Sequence, residues 1–399
     1  MEASPSKSAS PWFSDKMSTE AEGANPGQII KTYLRETEPE FRRLCEVREK
    51  VCLSLGGGAV WDLRQKAVGL MVSCLQGWSN PEGDRFFERQ RQRADQADDS
   101  TMLWFYSLML KIGSEIQTNT RIFSIHQAEG DAGPPMILDL CMAPGGFLDN
   151  ALSRNPESKA VAFSLPPEDG GHGVLLPDHL RDRAELRLLD VTMLAADMGV
   201  TQIPKDHPEA GDFLPRQLEP DRLFDLVLAD GQVLRTHRRA AYREPREARR
   251  LSCAQLAMGL EHVRPGGSML MLLHRVEAWN TVCLLWALRQ FSQVRLYKPR
   301  AGHAKRSSFY LLATEIQSRS PAAARAVERW KGLWRMATFG SDDDFGAALR
   351  DGKPSPEEML EEFGAELGRM GRRVWRIQAD ALERAPFNRQ SAGGGLGRR

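Results

Sequence analysis

The sequence predicts an α/β fold, a Rossmann-like seven-stranded, mostly parallel sheet with helices on both faces and helical extensions at both ends. Two observations lead to this prediction. Between residues 135 and 314, short apolar runs alternate with segments of helical period. On either side of that stretch, apolar residues recur at helical spacing only. Strands that alternate with helices indicate a parallel sheet, because parallel neighbours need a crossover connection.

Each element follows from the same patterns. The apolar runs predict strands at residues 136–140, 160–163, 185–189, 224–229, 268–273, 293–297 and 308–313. Helical spacing predicts helices at 147–153, 238–262 and 278–291 within this region, and at 102–116 before it. The expected organisation is a disordered tail (1–27), a helical N-terminal region (28–120), the α/β domain (121–318), a C-terminal helical region (319–385) and a flexible tail (386–399).

Composition excludes several classes of protein. The chain has 399 residues, 41% of them hydrophobic and 27% charged, which is typical of a globular protein. Lys and Arg number 54 against 53 Asp and Glu, so any contact with nucleic acid has to come from a local patch. No apolar run reaches the ~18–20 residues of a membrane span, and the N-terminus lacks a signal-peptide pattern. We therefore expect a cytoplasmic or nuclear protein with no membrane partner.

The six cysteines form no CxxC pair and have no histidine cluster beside them. In a chain of this length they indicate reduced, buried thiols rather than a disulfide framework. We expect no metal site.

The most informative segment is Ile137–Phe147, ILDLCMAPGGF. An apolar strand ends at Asp139, a turn of small residues follows, and a helix begins. Ligands of open α/β sheets bind outside the carboxyl ends of the strands, and glycines there let the backbone approach a ligand closely. The spacing matches neither the dinucleotide fingerprint nor a P-loop. By itself, the pattern equally fits an ordinary strand-to-helix turn.

Asp139–Phe147 resembles the first motif of the FtsJ-type (RrmJ-like) ribose 2′-O-methyltransferases, D-L-x-x-A-P-G-G-[FW], which depend on S-adenosylmethionine (SAM). Further segments resemble this family in the expected order, over about residues 111–314: 188–192 (LLDVT), 224–231 (FDLVLADG), 264–268 (RPGGS), 298–299 (KP) and 309–314 (FYLLAT). The resemblance implies SAM as cofactor and RNA as partner, with RNA methylation and rRNA processing as functions.

The resemblance also implies a cofactor site, formed by Asp139, Ala143, Pro144, Gly145, Gly146, Phe147, Asp190 and Asp230. Gly145 and Gly146 would let the backbone lie against the methionine part of SAM. Asp139 would orient the loop or receive the amino group of the ligand. Asp190 would accept a hydrogen bond from the adenine amino group, unless it only caps the turn that follows its strand. Ser164 stands where many such sites place an acid for the ribose.

The family uses a Lys-Asp-Lys-Glu tetrad to deprotonate the acceptor hydroxyl, and this chain has a degenerate version. Asp230 matches the aspartate, and Lys111 is the candidate for the first lysine. The second lysine aligns on Leu272, and the glutamate aligns on Ser308. His274 lies one pleat beyond Leu272 on the same strand face. It is a candidate base, or simply a polar residue at the end of a strand.

A run of cationic residues follows Asp230, and it allows two interpretations. As an RNA surface, its members would neutralise phosphates. As an amphipathic helix, they would form ion pairs with the intervening glutamates. The residues are Arg235, His237, Arg238, Arg239, Arg243, Arg246, Arg249 and Arg250.

Three hypotheses of function remain open from the sequence. The first is a SAM-dependent methyltransferase that acts on ribose 2′-hydroxyls of RNA. The second is a catalytically impaired FtsJ-like protein that binds SAM or RNA. The third is a methyltransferase that has changed its acceptor to a small molecule.

Overall fold

A computed structural model describes residues 25–53, 85–90, 92, 98–126 and 133–389 of the chain. Almost all of the two predicted tails, and residues 54–84 of the predicted helical N-terminal region, lie outside the described residues. Within the described part, the predicted α/β fold with helical regions at both ends is confirmed.

Seven strands form one sheet in the order β3-β2-β1-β4-β5-β7-β6. Six neighbouring pairs hold it together, and β7 runs antiparallel to both β5 and β6 while the other pairs are parallel. The strands are β1 (Met136–Asp139), β2 (Lys159–Ser164), β3 (Ala184–Leu188), β4 (Phe224–Ala229), β5 (Val263–His274), β6 (Gln293–Tyr297) and β7 (Ser308–Thr314). The parallel strands therefore end at one edge of the sheet, where their ligand-binding loops lie.

Helices cover both faces of this sheet. Those before and within the α/β region are α1 (Pro26–Thr37), α2 (Pro39–Leu53), α3 (Asp99–Thr120), α4 (Gly146–Arg154), α5 (Asp178–Arg181), α6 (Glu247–His262) and α7 (Trp279–Leu288). Those after it are α8 (Pro321–Phe339), α9 (Asp342–Arg350), α10 (Pro356–Glu383) and α11 (Pro386–Arg389). Residues 85–90 are also helical.

Strand residues alternate between two buried clusters, as the two-residue period of a strand requires. Leu226, Leu228 and Leu270 face the cluster that includes Phe147 of α4. Val227 and its equivalents on neighbouring strands face the larger cluster, to which α1, α2, α6, α7, α8 and α10 contribute. Helix α10 also packs against α1 and α2. The N- and C-terminal helices thus meet on one side of the sheet.

Two boundaries differ most from the sequence predictions. The helix predicted at 238–262 begins only at Glu247, because Pro245 has no N–H group to donate to the carbonyl four residues earlier and its ring clashes with that carbonyl. Strand β5 begins at Val263, ahead of the predicted turn, and Gly266 accommodates the irregularity with φ of 83°. None of the described helices is long and apolar enough to cross a bilayer.

Candidate cofactor-binding and active site

The turn between β1 and α4 is built by Pro144 and Gly145. The peptide bond before Pro144 is cis, and Gly145 has φ of 115°, a conformation that side chains rarely adopt. The Pro144 carbonyl accepts a hydrogen bond from the Leu175 N–H at 2.9 Å. Ala143 is half-buried, whereas Pro144 and Gly145 are buried. The motif is thus a rigid turn at the carboxyl edge of the sheet.

Gly146 and Phe147 serve packing in this structure. A Cβ atom on Gly146 would lie 2.6 Å from Cβ of Met109 and 2.9 Å from the backbone nitrogen of Leu110, so helix α3 rests directly on this residue. The Phe147 ring is buried and lies edge-on to the ring of Tyr310, with centroids 5.4 Å apart. The structure therefore explains both residues by helix and ring packing, and the cofactor contact implied for them stays a prediction.

Asp139 and Asp230 form a pair of neighbouring carboxyl groups. Asp139 lies beside Leu228 in the β1–β4 register, and Asp230 follows Leu228 by two residues, so both point to the same side. Burial, together with the charge of Asp230, raises the pKa of Asp139 well above its usual value. Burial also raises the pKa of Asp230 to about 7. No cation of the described residues offsets this pair, so the arrangement favours a positively charged ligand.

Side chains that contact the backbone of Gly231 hold the residue after Asp230 in place. A Cβ on Gly231 would lie 2.2 Å from Sγ of Cys141, so the loops after β1 and β4 touch here. The buried Gln255 side chain of α6 accepts from the Gly231 N–H at 2.9 Å and donates to the Gly231 carbonyl at 3.2 Å. Gln255 thus fixes the loop that bears Asp230. Sequence reasoning missed it, because a glutamine within a predicted helix carries no signal of this contact.

Sheet register shows which residues flank Asp230. Ala229 pairs with Met271, so Leu272 lies one position further on, beside Asp230. Leu272 in turn pairs with Tyr310 of β7. Burial and the Asp230 charge raise the pKa of Tyr310 well above its usual value. Asp230, Leu272 and Tyr310 therefore lie side by side across the three strands. Of these three residues, only Asp230 matches the residue type that the tetrad has at its position.

His274 lies two residues after Leu272 on the same face of β5, in a second row of side chains across the sheet. Its register partner is Ser308, and its Nε2 lies 3.2 Å from Oε1 of Gln232. Ser308 Oγ in turn lies 2.6 Å from Nδ1 of His303. Burial, with the Lys298 charge behind it, lowers the pKa of His274 to about 4 and that of His303 to about 3. Both imidazoles are thus neutral at pH 7.

Lys298 lies beneath this row and does not supply a cation to Asp230. Its Nζ donates to the carbonyls of Arg306 and Ser308 at 2.6 and 2.8 Å. Burial, and the Arg48 charge, lower its pKa to about 7. The other lysine of interest, Lys111, lies on the exposed side of α3, and no hydrogen bond or ion pair of the described residues joins it to Asp230. The structure thus brings Asp230 and His274 to one edge but does not join Lys111 to them.

Asp190 belongs to a network of charged side chains. Its Oδ1 accepts from the Thr192 N–H at 2.9 Å and so caps a short 3-10 turn. Its Oδ2 lies 2.5 Å from Nη2 of Arg243 and 3.3 Å from Nε2 of His237. Although burial opposes ionisation, these two neighbours hold the pKa of Asp190 well below its usual value. The capping alternative is thus what this structure displays, and the adenine contact stays a prediction.

Asp190, His237 and Glu247 place one ligand atom each within 4.8 Å of one another. However, Arg243 Nη2 also donates to Glu247 at 2.6 Å, so a guanidinium already bridges the two carboxylates. The arrangement is an ion-pair network, and we assign no metal to it.

The cationic run after Asp230 mostly forms ion pairs, which bears out that part of its second interpretation and corrects the first, an RNA surface made by its members together. Arg243 and Arg250 are buried, and both bind Glu247. Arg239 pairs with Glu244, and Arg246 pairs with Asp342. The physical reason is that nearby acidic side chains attract these arginines, and this attraction offsets the free-energy cost of taking the guanidinium groups out of water. Arg235 and Arg238 remain exposed.

The loop at 165–175 crosses the carboxyl edge. The Asp169 carbonyl accepts from the Arg238 N–H at 2.9 Å, and the Gly170 carbonyl accepts from Thr236 Oγ1 at 2.7 Å. A Cβ on Gly170 would lie 2.0 Å from the Thr236 carbonyl oxygen, which explains the glycine. The loops after β2 and β4 therefore join above the turn that contains Pro144.

The chain is similar in sequence to one protein family and in structure to several solved methyltransferases. A sequence model of the FtsJ-like methyltransferases matches residues 114–316, about half of the chain. No curated protein matches the chain. Solved structures that are similar include an O-methyltransferase family 2 protein from Planctomyces limnophilus in complex with apigenin, at 13% identity and a TM-score of 0.33, over 54% of this chain and 60% of that one. Another is an rRNA methylase from Streptococcus thermophilus, at 10% identity and a TM-score of 0.27, over 54% of this chain and 95% of that one.

A glycopeptide N-methyltransferase complexed with SAM is similar at 13% identity and a TM-score of 0.30, over 51% of this chain and 93% of its own. This chain spans about 60% of the length of the Planctomyces limnophilus protein.

Proposed function

Because this chain belongs to the FtsJ-like methyltransferase family, we propose that it transfers a methyl group from SAM to a ribose 2′-hydroxyl of RNA. The observation that supports this most directly is the Asp139–Asp230 pair, two neighbouring carboxyls that no cation of the described residues offsets. SAM bears a sulfonium and an ammonium group, and binding either one near these carboxylates would relieve their repulsion.

The residues present fit this cofactor. Asp139 and Asp230 would face its cationic part, and the turn through Gly145 would lie against the methionine portion. When bound, SAM supplies an activated methyl group on an excellent leaving group. The protein then has to hold the acceptor in line and remove its proton.

Two side chains are suited to that proton transfer. Asp230, with a pKa of about 7 before any cation binds, lies at the end of β4. His274 is neutral at pH 7 and follows on the adjacent strand, so its imidazole can accept a proton. We assign Asp230 to positioning the cationic centre and His274 to receiving the hydroxyl proton. Lys111 is the candidate that would approach from α3 to stabilise the developing alkoxide.

Leu272 favours a second candidate, a protein that binds SAM and RNA without turnover. Leu272 lies beside Asp230 where the family has a lysine, and it offers no charge to a developing alkoxide. The ammonium of Lys298 is directed at backbone carbonyls instead. A methyltransferase with a small-molecule acceptor is the third possibility, and the same experiment addresses it.

The test is methyl transfer from radiolabelled SAM to total RNA, followed by digestion to nucleosides. We expect label in 2′-O-methylated nucleosides, and we expect Asp230→Asn to abolish it while the exposed control Asp182→Asn retains it. Calorimetry with SAM runs in parallel. SAM binding with no transfer to any RNA would favour the second or third candidate, and label on bases rather than ribose would contradict the proposed acceptor.

A further inference from the structure

Helix α3 presents a large aromatic side chain to solvent. Trp104 is 58% exposed and its neighbour Leu103 is 56% exposed, whereas most large apolar side chains of the described residues are at least partly buried. The Trp104 ring lies edge-on to that of Phe105, with centroids 5.1 Å apart. Phe105 therefore holds Trp104 from one side and leaves much of its surface available.

This tryptophan lies near the carboxyl edge of the sheet. Helix α3 rests on Gly146, and its Tyr106 hydroxyl donates to Asp149 in the first turns of α4. Phe105 lies 6.5 Å from the ring of His172, in the loop at 165–175 that joins the loop after β4. Trp104 is therefore at the rim of the candidate active site.

Exposed cations lie on helix α3 and on two segments bonded to α3 or to the 165–175 loop. Lys111 is seven residues after Trp104 and so shares its helix face, and both are exposed. Arg238 is exposed on the far side of the 165–175 loop, to which its backbone is bonded. Arg300 is exposed beyond α3, where its N–H donates to Glu115 at 2.8 Å. An aromatic surface flanked by cations complements a flexible polyanion that has aromatic groups of its own.

We infer that Trp104 is a stacking platform for a base of single-stranded RNA next to the acceptor nucleotide. Arg238 and Arg300 would contact the phosphates on either side. This inference rests on the proposed function, because that function brings an RNA strand to this edge. Aromatic side chains bind unpaired bases by stacking without reading their sequence, so the platform would favour single strands over duplexes.

The experiment measures binding of the full chain to a fluorescein-labelled 12-nucleotide oligoadenylate and to a 12-base-pair RNA duplex. We expect Trp104→Ala to weaken binding of the single strand by about tenfold and to leave the duplex unchanged. Trp104→Phe should stay within about threefold of wild type, because a ring is retained. Leu103→Ala is the matched control, an exposed apolar residue on the same turn, and should bind as wild type.

Salt dependence separates stacking from charge. Trp104→Ala should leave the slope of log affinity against log salt unchanged, whereas Arg238→Gln should lower its magnitude by about 0.7, the value for one phosphate contact of a single strand. Circular dichroism and SAM calorimetry on each variant establish that it is folded.

The inference is overturned if Trp104→Ala binds oligoadenylate as wild type does, or if Leu103→Ala loses as much. It is also overturned if sedimentation shows a wild-type dimer that both variants dissociate, because the patch would then be an interface between two copies. Failure of the proposed function would give a different result. Single-strand binding that needs Trp104, without methyl transfer, would retain the platform and reject the activity.

Discussion

His274 and Ser308 lie directly opposite each other in the antiparallel pair of β5 and β7. Side chains so placed have Cβ atoms about 5 Å apart. Ser308 aligns with the family's glutamate, so the residue facing that position is His274 and not Leu272. We propose that a neutral imidazole and a hydroxyl take the place of part of the tetrad in this chain.

If His274 receives the acceptor proton, His274→Gln should slow methyl transfer about 100-fold, the lower end of what a general base contributes. SAM affinity should be unchanged, because the imidazole lies one pleat beyond the Asp139–Asp230 pair. Single-turnover kinetics and calorimetry measure the two quantities. His303→Gln is the control, since His303 bonds to Ser308 from behind, and it should have a smaller effect. An unchanged rate in His274→Gln would assign His274 to the role of a polar strand-end residue.

Leu272→Lys tests whether the missing cation limits the rate. The sheet register places this side chain beside Asp230, where an ammonium would stabilise a developing alkoxide. We expect the rate constant of transfer to rise by about tenfold or more, since ~1.4 kcal/mol of transition-state stabilisation suffices for that. Leu272→Met has a similar volume without the charge and should behave as wild type. A lysine variant that binds SAM normally yet gains no rate would mean that the missing cation does not limit methyl transfer.

SAM binding should depend on pH through the carboxyl pair. In the free protein Asp230 has a pKa of about 7, and a cation beside it favours the ionised form. SAM binding should therefore release a proton below pH 7, and affinity should rise by up to about tenfold per pH unit until it levels off above that value. Calorimetry in buffers of different ionisation enthalpy measures the release directly. Asp230→Asn should lose the share of this dependence that Asp230 contributes, while Asp139, whose pKa burial also raises, still titrates. An equally steep profile in that variant would assign the proton to a group other than Asp230.

The sequence anticipated the strands because the α/β core has strict periodicities, and a motif marks Asp230 as a candidate site residue. It did not anticipate Tyr310 beside Leu272, since lateral neighbours in a sheet depend on register and not on local pattern. It also missed Gln255, whose contact with Gly231 joins residues far apart in the chain. It left the cationic run with two interpretations for the same reason, because the acid that neutralises Arg246 comes from α9, which follows the sheet.

Gly146→Ala should destabilise the fold rather than only the cofactor site. The added methyl would lie 2.6 Å from Cβ of Met109 and 2.9 Å from the backbone of α3, so the helix has to shift, at a loss of about 1–3 kcal/mol in the free energy of unfolding. Gly332→Ala is the control, because nothing lies within 4 Å of its Cβ position within α8. That variant should be neutral or gain about 0.5–1 kcal/mol. Urea unfolding measures both, and equal stabilities would mean that α3 does not rest on the turn in solution.

Arg243→Met should be among the most destabilising single changes in the chain. The Arg243 guanidinium binds Asp190 and Glu247 from within the protein, and its removal leaves two carboxylates short of a partner, at a loss of about 3–5 kcal/mol. Arg238→Ala, an exposed arginine five residues earlier, should change stability by less than about 0.5 kcal/mol. Burial opposes ionisation of Asp190 and Glu247, but their arginine and histidine partners outweigh it and hold both pKa values below the usual range.

The resulting stability is present above the unfolded pKa values near 4 and is lost as the pH falls below them. The difference between wild type and Arg243→Met should therefore be full at pH 7 and shrink below about pH 4. Urea unfolding at a series of pH values measures this difference. A gap between the two proteins that stays constant down to pH 3 would mean that Arg243 acts through packing rather than through the carboxylates.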